Sequence, residues 1–143
     1  MVRAVVTGAT SGIGFAFAVE YARRGHDLLL VARSERDLDV ASVDLAERFG
    51  VQCAKLAMDL STIDGVNGFV DATMSNGVPD VLVLNAGVTL AARVGTSSPE
   101  VIGDVMTLLA LGPMLTIERL APQMVARGAG DIILVSSIAS QIP

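Results

Sequence analysis

The sequence predicts a doubly wound α/β fold: a parallel five-stranded sheet with helices on both faces. Short aliphatic runs alternate five times with longer helix-forming segments along the 143 residues. Strict alternation of that kind implies parallel pairing through right-handed crossovers. Hydrophobic residues make up 52% of the chain and aromatic ones only 3%. The core is therefore expected to be aliphatic, as in a sheet buried on both faces. A glycine-rich turn, Thr7-Gly8-Ala9-Thr10-Ser11-Gly12-Ile13-Gly14, lies between the first run and the first helix. The expected strand order is 3-2-1-4-5, which places a ligand at the switch point between strands 1 and 4.

Residues 2–6 are a β-branched run and predict the first strand. Ile13, Phe17 and Tyr21 then recur at helical spacing until Gly25. Residues 28–32 predict the second strand, residues 34–49 a charged amphipathic helix stopped by Gly50, and residues 51–58 contain the third strand. Ser61 opens another helix that ends near Asn76 and Gly77, and residues 81–84 form the fourth strand. Ser98, Pro99 and Glu100 read as a cap, a first-turn proline and an acidic first turn. The long helix they start runs towards Arg127 and is broken by the glycines at 128 and 130; Asp131 then leads into a fifth strand at 132–135. Residues 1–143 read as one domain, without repeat or linker.

The totals exclude several classes. Fifteen acidic residues against ten basic ones give a net charge of −5, which argues against a nucleic-acid partner. One cysteine, Cys53, excludes an internal disulfide framework, and one histidine, His26, leaves no metal cluster or His-based triad to build. No segment reads as about 20 apolar residues, so no membrane partner is expected and the protein is read as cytoplasmic. His26 is expected in a surface turn, Cys53 in the core, and Arg23 and Arg24 at a solvated helix end.

The glycine turn brings backbone amides and a helix N-terminus up to a phosphate. Gly8 permits the tight turn, Gly12 lets the backbone approach a pyrophosphate, and Gly14 lets the helix pack closely. The amides and side chains of Thr10, Ser11 and Ile13 complete the candidate cradle.

The spacing TGxxxGxG resembles the fingerprint of the short-chain dehydrogenases/reductases, and the resemblance runs along the whole chain. Asp59-Leu60 is similar to that family's adenine-contacting acidic position. Asn85-Ala86-Gly87 is similar to its NAG segment, which steadies the sheet beside the cofactor. Ser136-Ser137 is similar to its catalytic serine segment, with Ser137 the better match. The resemblance implies a Rossmann-type fold and an oxidoreductase acting on carbonyl or alcohol substrates.

Cofactor choice follows from the end of the second strand. An acidic side chain there, about twenty residues past the loop, would bond a ribose 2′-hydroxyl and select NAD. This chain offers Arg33, with Ser34 beside it. A guanidinium attracts a 2′-phosphate, so NADP(H) is expected over NAD(H).

The family's reaction uses a tyrosine and a lysine in a YxxxK segment after the serine. Six residues follow Ser137 and none is Tyr or Lys; Tyr21 and Lys55 are the sequence's single residues of those types. The topology does not bring these two together. Aligning on Gly112-Pro113 also puts Leu109 where the family places an asparagine. These residues are therefore expected to bind nucleotide without turnover. The helix segment from Val105 to Leu111 is apolar nearly all round, and such a helix is expected to be buried on more than one side. With strand 5 at a sheet edge, a homodimer through this helix or that edge is expected. The alternative reading is a non-catalytic nucleotide-binding or assembly scaffold.

Overall fold

The computed structural model describes residues 3–89, 93 and 95–137. Five strands form one parallel sheet: β1 (Arg3–Thr7), β2 (Asp27–Ala32), β3 (Cys53–Ala57), β4 (Val81–Leu84) and β5 (Asp131–Leu134). Their order is β3-β2-β1-β4-β5, as the alternation predicts. Val5 lies opposite Leu29 on one side and Leu82 on the other, so β1 is the centre of the sheet. β4 has its predicted bounds, those of the other strands differ from prediction by one or two residues, and Val2 lies outside the described residues.

The reason β1 reads as an unbroken apolar run is visible in its neighbours. Ala4 and Val6 pack on one face with Ala18, Tyr21, Leu38 and Leu45 of α1 (Gly12–Arg23) and α2 (Glu35–Phe49). Val5 points to the other face, where it packs with Phe69, Val70, Leu120 and Met124 of α3 (Ile63–Ser75) and α5 (Gly112–Arg127). Each Val, Leu, Phe or Met among them, removed from water, contributes about 1.5–3 kcal/mol. Two largely aliphatic cores on opposite faces therefore hold the sheet between helices.

Helix ends follow the expected chemistry. The Ser34 hydroxyl oxygen accepts from the Asp37 amide at 3.2 Å, and Gly50 closes α2 at φ 68°. Thr62, rather than the expected Ser61, caps α3, accepting from the Gly65 amide at 3.0 Å. Ser98 accepts from Val101 at the start of α4 (Pro99–Met106). In α1 the buried residues are Gly14, Ala18, Tyr21 and Ala22, whereas Ile13 is 60% exposed. Ile13 is thus not part of the expected apolar stripe, because it sits in the first turn beside the open glycine loop.

The long helix departs from its prediction in two ways. Between α4 and α5 it widens into a π-turn over Thr107–Leu111, and the Gly112 amide donates to the Thr107 carbonyl. Pro113 explains the widening: it has no amide to give Leu109, and its ring would press on that carbonyl in a regular turn. The second departure concerns burial. No residue of α4 or the π-turn is fully buried, and α5 buries one stripe, Gly112, Thr116, Leu120 and Met124. Met106, Leu109, Leu111, Met114 and Val125 remain exposed. The expected burial on more than one side is not met within this chain. Pro99–Arg127 is also, contrary to expectation, a 29-residue helix long and apolar enough by length and composition to cross a membrane. Its inner stripe packs on the sheet and α3.

His26 is half-buried rather than a surface residue, its ring 5.1 Å from that of Tyr21. Cys53 is half-buried, and Arg23 and Arg24 are exposed, both bonded to Glu20. At the opposite end from the glycine loop, Asp80 accepts from the Arg3 amide at 2.7 Å and pairs with Arg127 at 3.3 Å. The Arg3 guanidinium donates to the carbonyls of Thr73, Asn76 and Gly77.

Candidate functional site

All five strands run the same way, so their carboxyl ends form one rim, and the cofactor-binding and catalytic candidates named from the sequence follow its strands. The glycine loop follows β1, Arg33 and Ser34 follow β2, Asp59 and Leu60 follow β3, Asn85 to Gly87 follow β4, and Ser137 follows β5. Gly8 has φ 65°, and its amide donates to the Val31 carbonyl at 2.8 Å, which ties the loop to β2. A side chain on Gly8 would stand 2.9 Å from Asn85 Nδ2. One on Gly14 would stand 2.1 Å from the Gly8 carbonyl oxygen. Gly14 is thus glycine because helix and loop touch.

Gly12 is different. Its φ is 53°, and a Cβ there would meet nothing within 4 Å. The loop is packed below and open above. At this opening stands the N-terminus of α1, where Ser11 makes no side-chain cap bond, although side chains cap α2, α3 and α4. Uncapped first-turn amides are polar donors in need of an acceptor. Thr10 is half-buried and Ser11 exposed at the same place.

The wall opposite the loop is tied to it through Thr7, a residue to which the sequence reading gave no role. The buried Thr7 hydroxyl donates to the Val83 carbonyl at 3.3 Å and accepts from the amides of Asn85 at 2.9 Å and Ala86 at 3.0 Å. Asn85 Nδ2 returns a bond to the Thr7 carbonyl at 3.1 Å. Two chain segments 78 residues apart are therefore fastened at the switch point. The signal was present as a hydroxyl at the last position of β1, where a strand needs none.

Towards β3 the rim is charged. Arg33 is exposed, and its cation acts on the Asp59 carboxylate. The Ser61 amide and hydroxyl donate to Asp59 Oδ1 at 3.0 and 2.8 Å. These bonds, amide first, hold the Asp59 carboxyl below its usual range, and Arg33 adds to the effect. Ser34 is spent as the α2 cap; its lone pair is taken, while its proton stays available. Leu60, Thr7 and Ala86 line a cavity of about 20 Å³ with Leu108, Gly112 and Pro113, just under the π-turn.

Leu109 lies over the NAG segment, its Cδ2 3.3 Å from where a Gly87 Cβ would stand. The position aligned with the family's asparagine thus faces the rim with an apolar side chain, 48% exposed. Ser137 is exposed beyond β5; residues 138–143 lie outside the described residues. Tyr21 and Lys55 are not on this rim: Tyr21 packs beside His26 on α1, and Lys55 pairs with Asp39. No cluster of metal-ligating side chains occurs among the described residues.

A family model described as short chain dehydrogenase matches residues 3–143. The chain belongs to the short chain dehydrogenase family. Among curated relatives of the family, the very-long-chain 3-oxooacyl-coA reductase let-767 of Caenorhabditis elegans is 35% identical over 143 residues, 95% of this chain and 45% of that protein. Among solved structures, the short-chain dehydrogenase from Sphingobium yanoikuyae in complex with NADPH superposes with a TM-score of 0.94 at 30% identity, over 100% of this chain and 56% of that one. The L-sorbose reductase from Gluconobacter frateurii, complexed with NADPH and L-sorbose, gives 0.89 at 36% identity over 97% of this chain and 53% of that one. The chain thus spans about half the length of the short chain dehydrogenases it matches.

Proposed function

We propose that these residues form the NADP(H)-binding part of an oxidoreductase acting on carbonyl or alcohol substrates, and that by themselves they bind nucleotide without turning it over. The observation that carries the reading is the uncapped N-terminus of α1 beside the open face of Gly12. An anionic pyrophosphate satisfies such amides and gains from the helix dipole. The fit extends along the rim. Gly8, Thr10, Ser11, Gly12, Ile13 and Gly14 would hold the pyrophosphate, Asp59, Leu60 and Ala86 the adenine side, and Asn85 and Gly87 the nicotinamide side.

Arg33 supports NADP(H) over NAD(H), because a guanidinium pairs with a 2′-phosphate and gains nothing comparable from a 2′-hydroxyl. The Ser34 hydroxyl proton is a second donor. The solved relatives with NADPH support a nicotinamide cofactor for the family. When bound, the nicotinamide supplies or accepts the hydride. Ser137 is the group of the reacting side that these residues carry, with a hydroxyl suited to hold a substrate oxygen. A phenol with an ordinary pKa of about 10 needs a neighbouring cation to act as an acid or base near neutrality. Tyr21 has its pKa raised by burial and lies away from the rim.

Calorimetric titration with NADPH and NADH tests the reading. NADPH is expected to bind the more tightly; binding of neither, or a preference for NADH, overturns it. Steady NADPH oxidation by the purified chain with carbonyl substrates would refute the absence of turnover.

A second proposal concerns assembly. Met114 is 68% and Val125 78% exposed on a helix that buries one stripe. These residues support a homodimer through α4–α5 or the β5 edge. Light scattering after size exclusion is expected to give twice the mass of one chain; one chain mass at high concentration sinks the proposal.

A further inference from the structure

Gly65 has no backbone reason to be glycine, since its φ is not positive. Its reason is contact. A Cβ there would stand 1.8 Å from the Asp59 carbonyl oxygen and 2.9 Å from both the Asp59 carbonyl carbon and Thr62 Oγ1. Both atoms of the Asp59 carbonyl are backbone and cannot swing aside. The first turn of α3 therefore rests directly on the peptide that leaves β3. Thr62 reinforces the contact: its hydroxyl donates to the Asp59 carbonyl at 3.3 Å and accepts from the Gly65 amide at 3.0 Å.

The Asp59 side chain is tied separately. Both Ser61 bonds converge on Oδ1, which fixes the plane of the carboxylate and so the place of its second oxygen. The next residue, Leu60, is backed from the other side by Gly112, where a Cβ would lie 3.7 Å from the Leu60 carbonyl oxygen and 3.0 Å from Val66. The turn is gripped between α3 and α5, with the grip made of glycines.

We infer that Gly65 and Ser61 are positioning residues for Asp59: Gly65 sets its backbone, Ser61 sets its carboxylate, and together they aim it at an exocyclic amine such as that of adenine. The inference rests on the nucleotide reading above and says which atoms give its adenine side a fixed shape. Neither residue carries a charge or touches the glycine loop, so neither is conspicuous as a ligand-binding group.

The test uses adenosine 2′,5′-bisphosphate, which presents adenine and the 2′-phosphate without nicotinamide. Its affinity is measured by calorimetry for the unaltered chain, Gly65→Ala, Ser61→Ala, and Gly103→Ala, where a Cβ meets open space. Gly65→Ala and Ser61→Ala are expected to weaken binding about tenfold or more, with Gly103→Ala unchanged. Ser61→Ala is also expected to shift upward the pH below which affinity falls, because Asp59 loses the bonds that favour its charge. General loosening of the fold would not move that profile. Unchanged affinity in both variants, or weaker binding with an unmoved profile in Ser61→Ala, overturns the inference. If Gly65→Ala fails to fold, Ser61→Ala decides by the same two readings. No binding by the unaltered chain overturns the nucleotide reading itself, and this inference with it.

Discussion

Asn85 Nδ2 donates to the Thr7 carbonyl at 3.1 Å while the Asn85 amide donates to the Thr7 hydroxyl at 2.9 Å. The pair closes a ring between the ends of β1 and β4. Thr7→Val keeps the shape and removes the hydroxyl. It strands the amides of Asn85 and Ala86, each costing about 1–3 kcal/mol where buried. A loss of about 2–3 kcal/mol in urea unfolding is expected. A loss under about 0.5 kcal/mol would show that water replaces the hydroxyl without penalty.

Gly12 and Gly14 are expected to fail differently. Gly14→Ala drives a methyl into the Gly8 carbonyl, so unfolding stability and NADPH affinity should fall together. Gly12→Ala adds its methyl in open space at φ 53°. Its stability cost should stay near 1 kcal/mol, while affinity falls by tenfold or more because the methyl fills the phosphate approach. Equal binding losses without the difference in stability would contradict this division.

Arg33→Ser removes the cation beside Asp59. Hydrogen bonds to charged groups contribute about 1.5–3 kcal/mol, so NADPH affinity should drop by roughly 10–100-fold with little change for NADH. Parallel titrations with both nucleotides read the ratio. An unchanged ratio would remove Arg33 from cofactor choice.

Glu20 supplies a pH signature far from the rim. Hydrogen bonds from Arg23, then Arg24, hold its carboxyl at about 2. A lowered folded pKa stabilises the protein above the ordinary carboxyl value of 4.5, and that contribution fades as pH falls from there towards 2. Glu20→Gln should therefore be less stable than the unaltered chain at pH 6 and should converge with it on acidification. A gap in urea midpoint that stays constant from pH 6 to pH 3 would exclude this coupling. Glu20 is exposed, so the effect is small and weakens with salt.

The sheet was legible because its signals are local. All the strands but β3, which carries Lys55, are built on an aliphatic run. The cap Ser98 with the stop at Gly50 is spelled out in sequence, whereas Ser34, read as the first helical residue, is the cap of α2. Most of the rim was legible for the same reason: in a parallel sheet, whatever follows a strand lies on one side. What stayed hidden depends on distances between segments remote in sequence. Thr7 gains its role from Asn85 and Ala86, and Gly65 gains its role from Asp59 folding back over α3. The exposure of Ile13 follows from the loop standing open, and the half-burial of His26 from the Tyr21 ring. The π-turn has a local cause in Pro113, yet a proline after a glycine in a long helix reads equally well as a kink or a break.

That π-turn has a consequence for how this helix can change length. It holds one residue more than a regular turn, and each residue of an α-helix advances about 100° around its axis. Deleting a single position between Thr107 and Leu111 would restore a regular turn and leave α5 in nearly the same phase relative to α4, because the wide turn spends its extra residue within one circuit. The same deletion within α4 would instead turn α5 by about 100°. Thr116 and Leu120 would then rotate off the sheet, and polar neighbours such as Glu118 would be carried towards it. A change of length that the regular part of this helix cannot absorb is thus open at the π-turn. The phase of the rod, more than its hydrophobicity, limits where its sequence can drift.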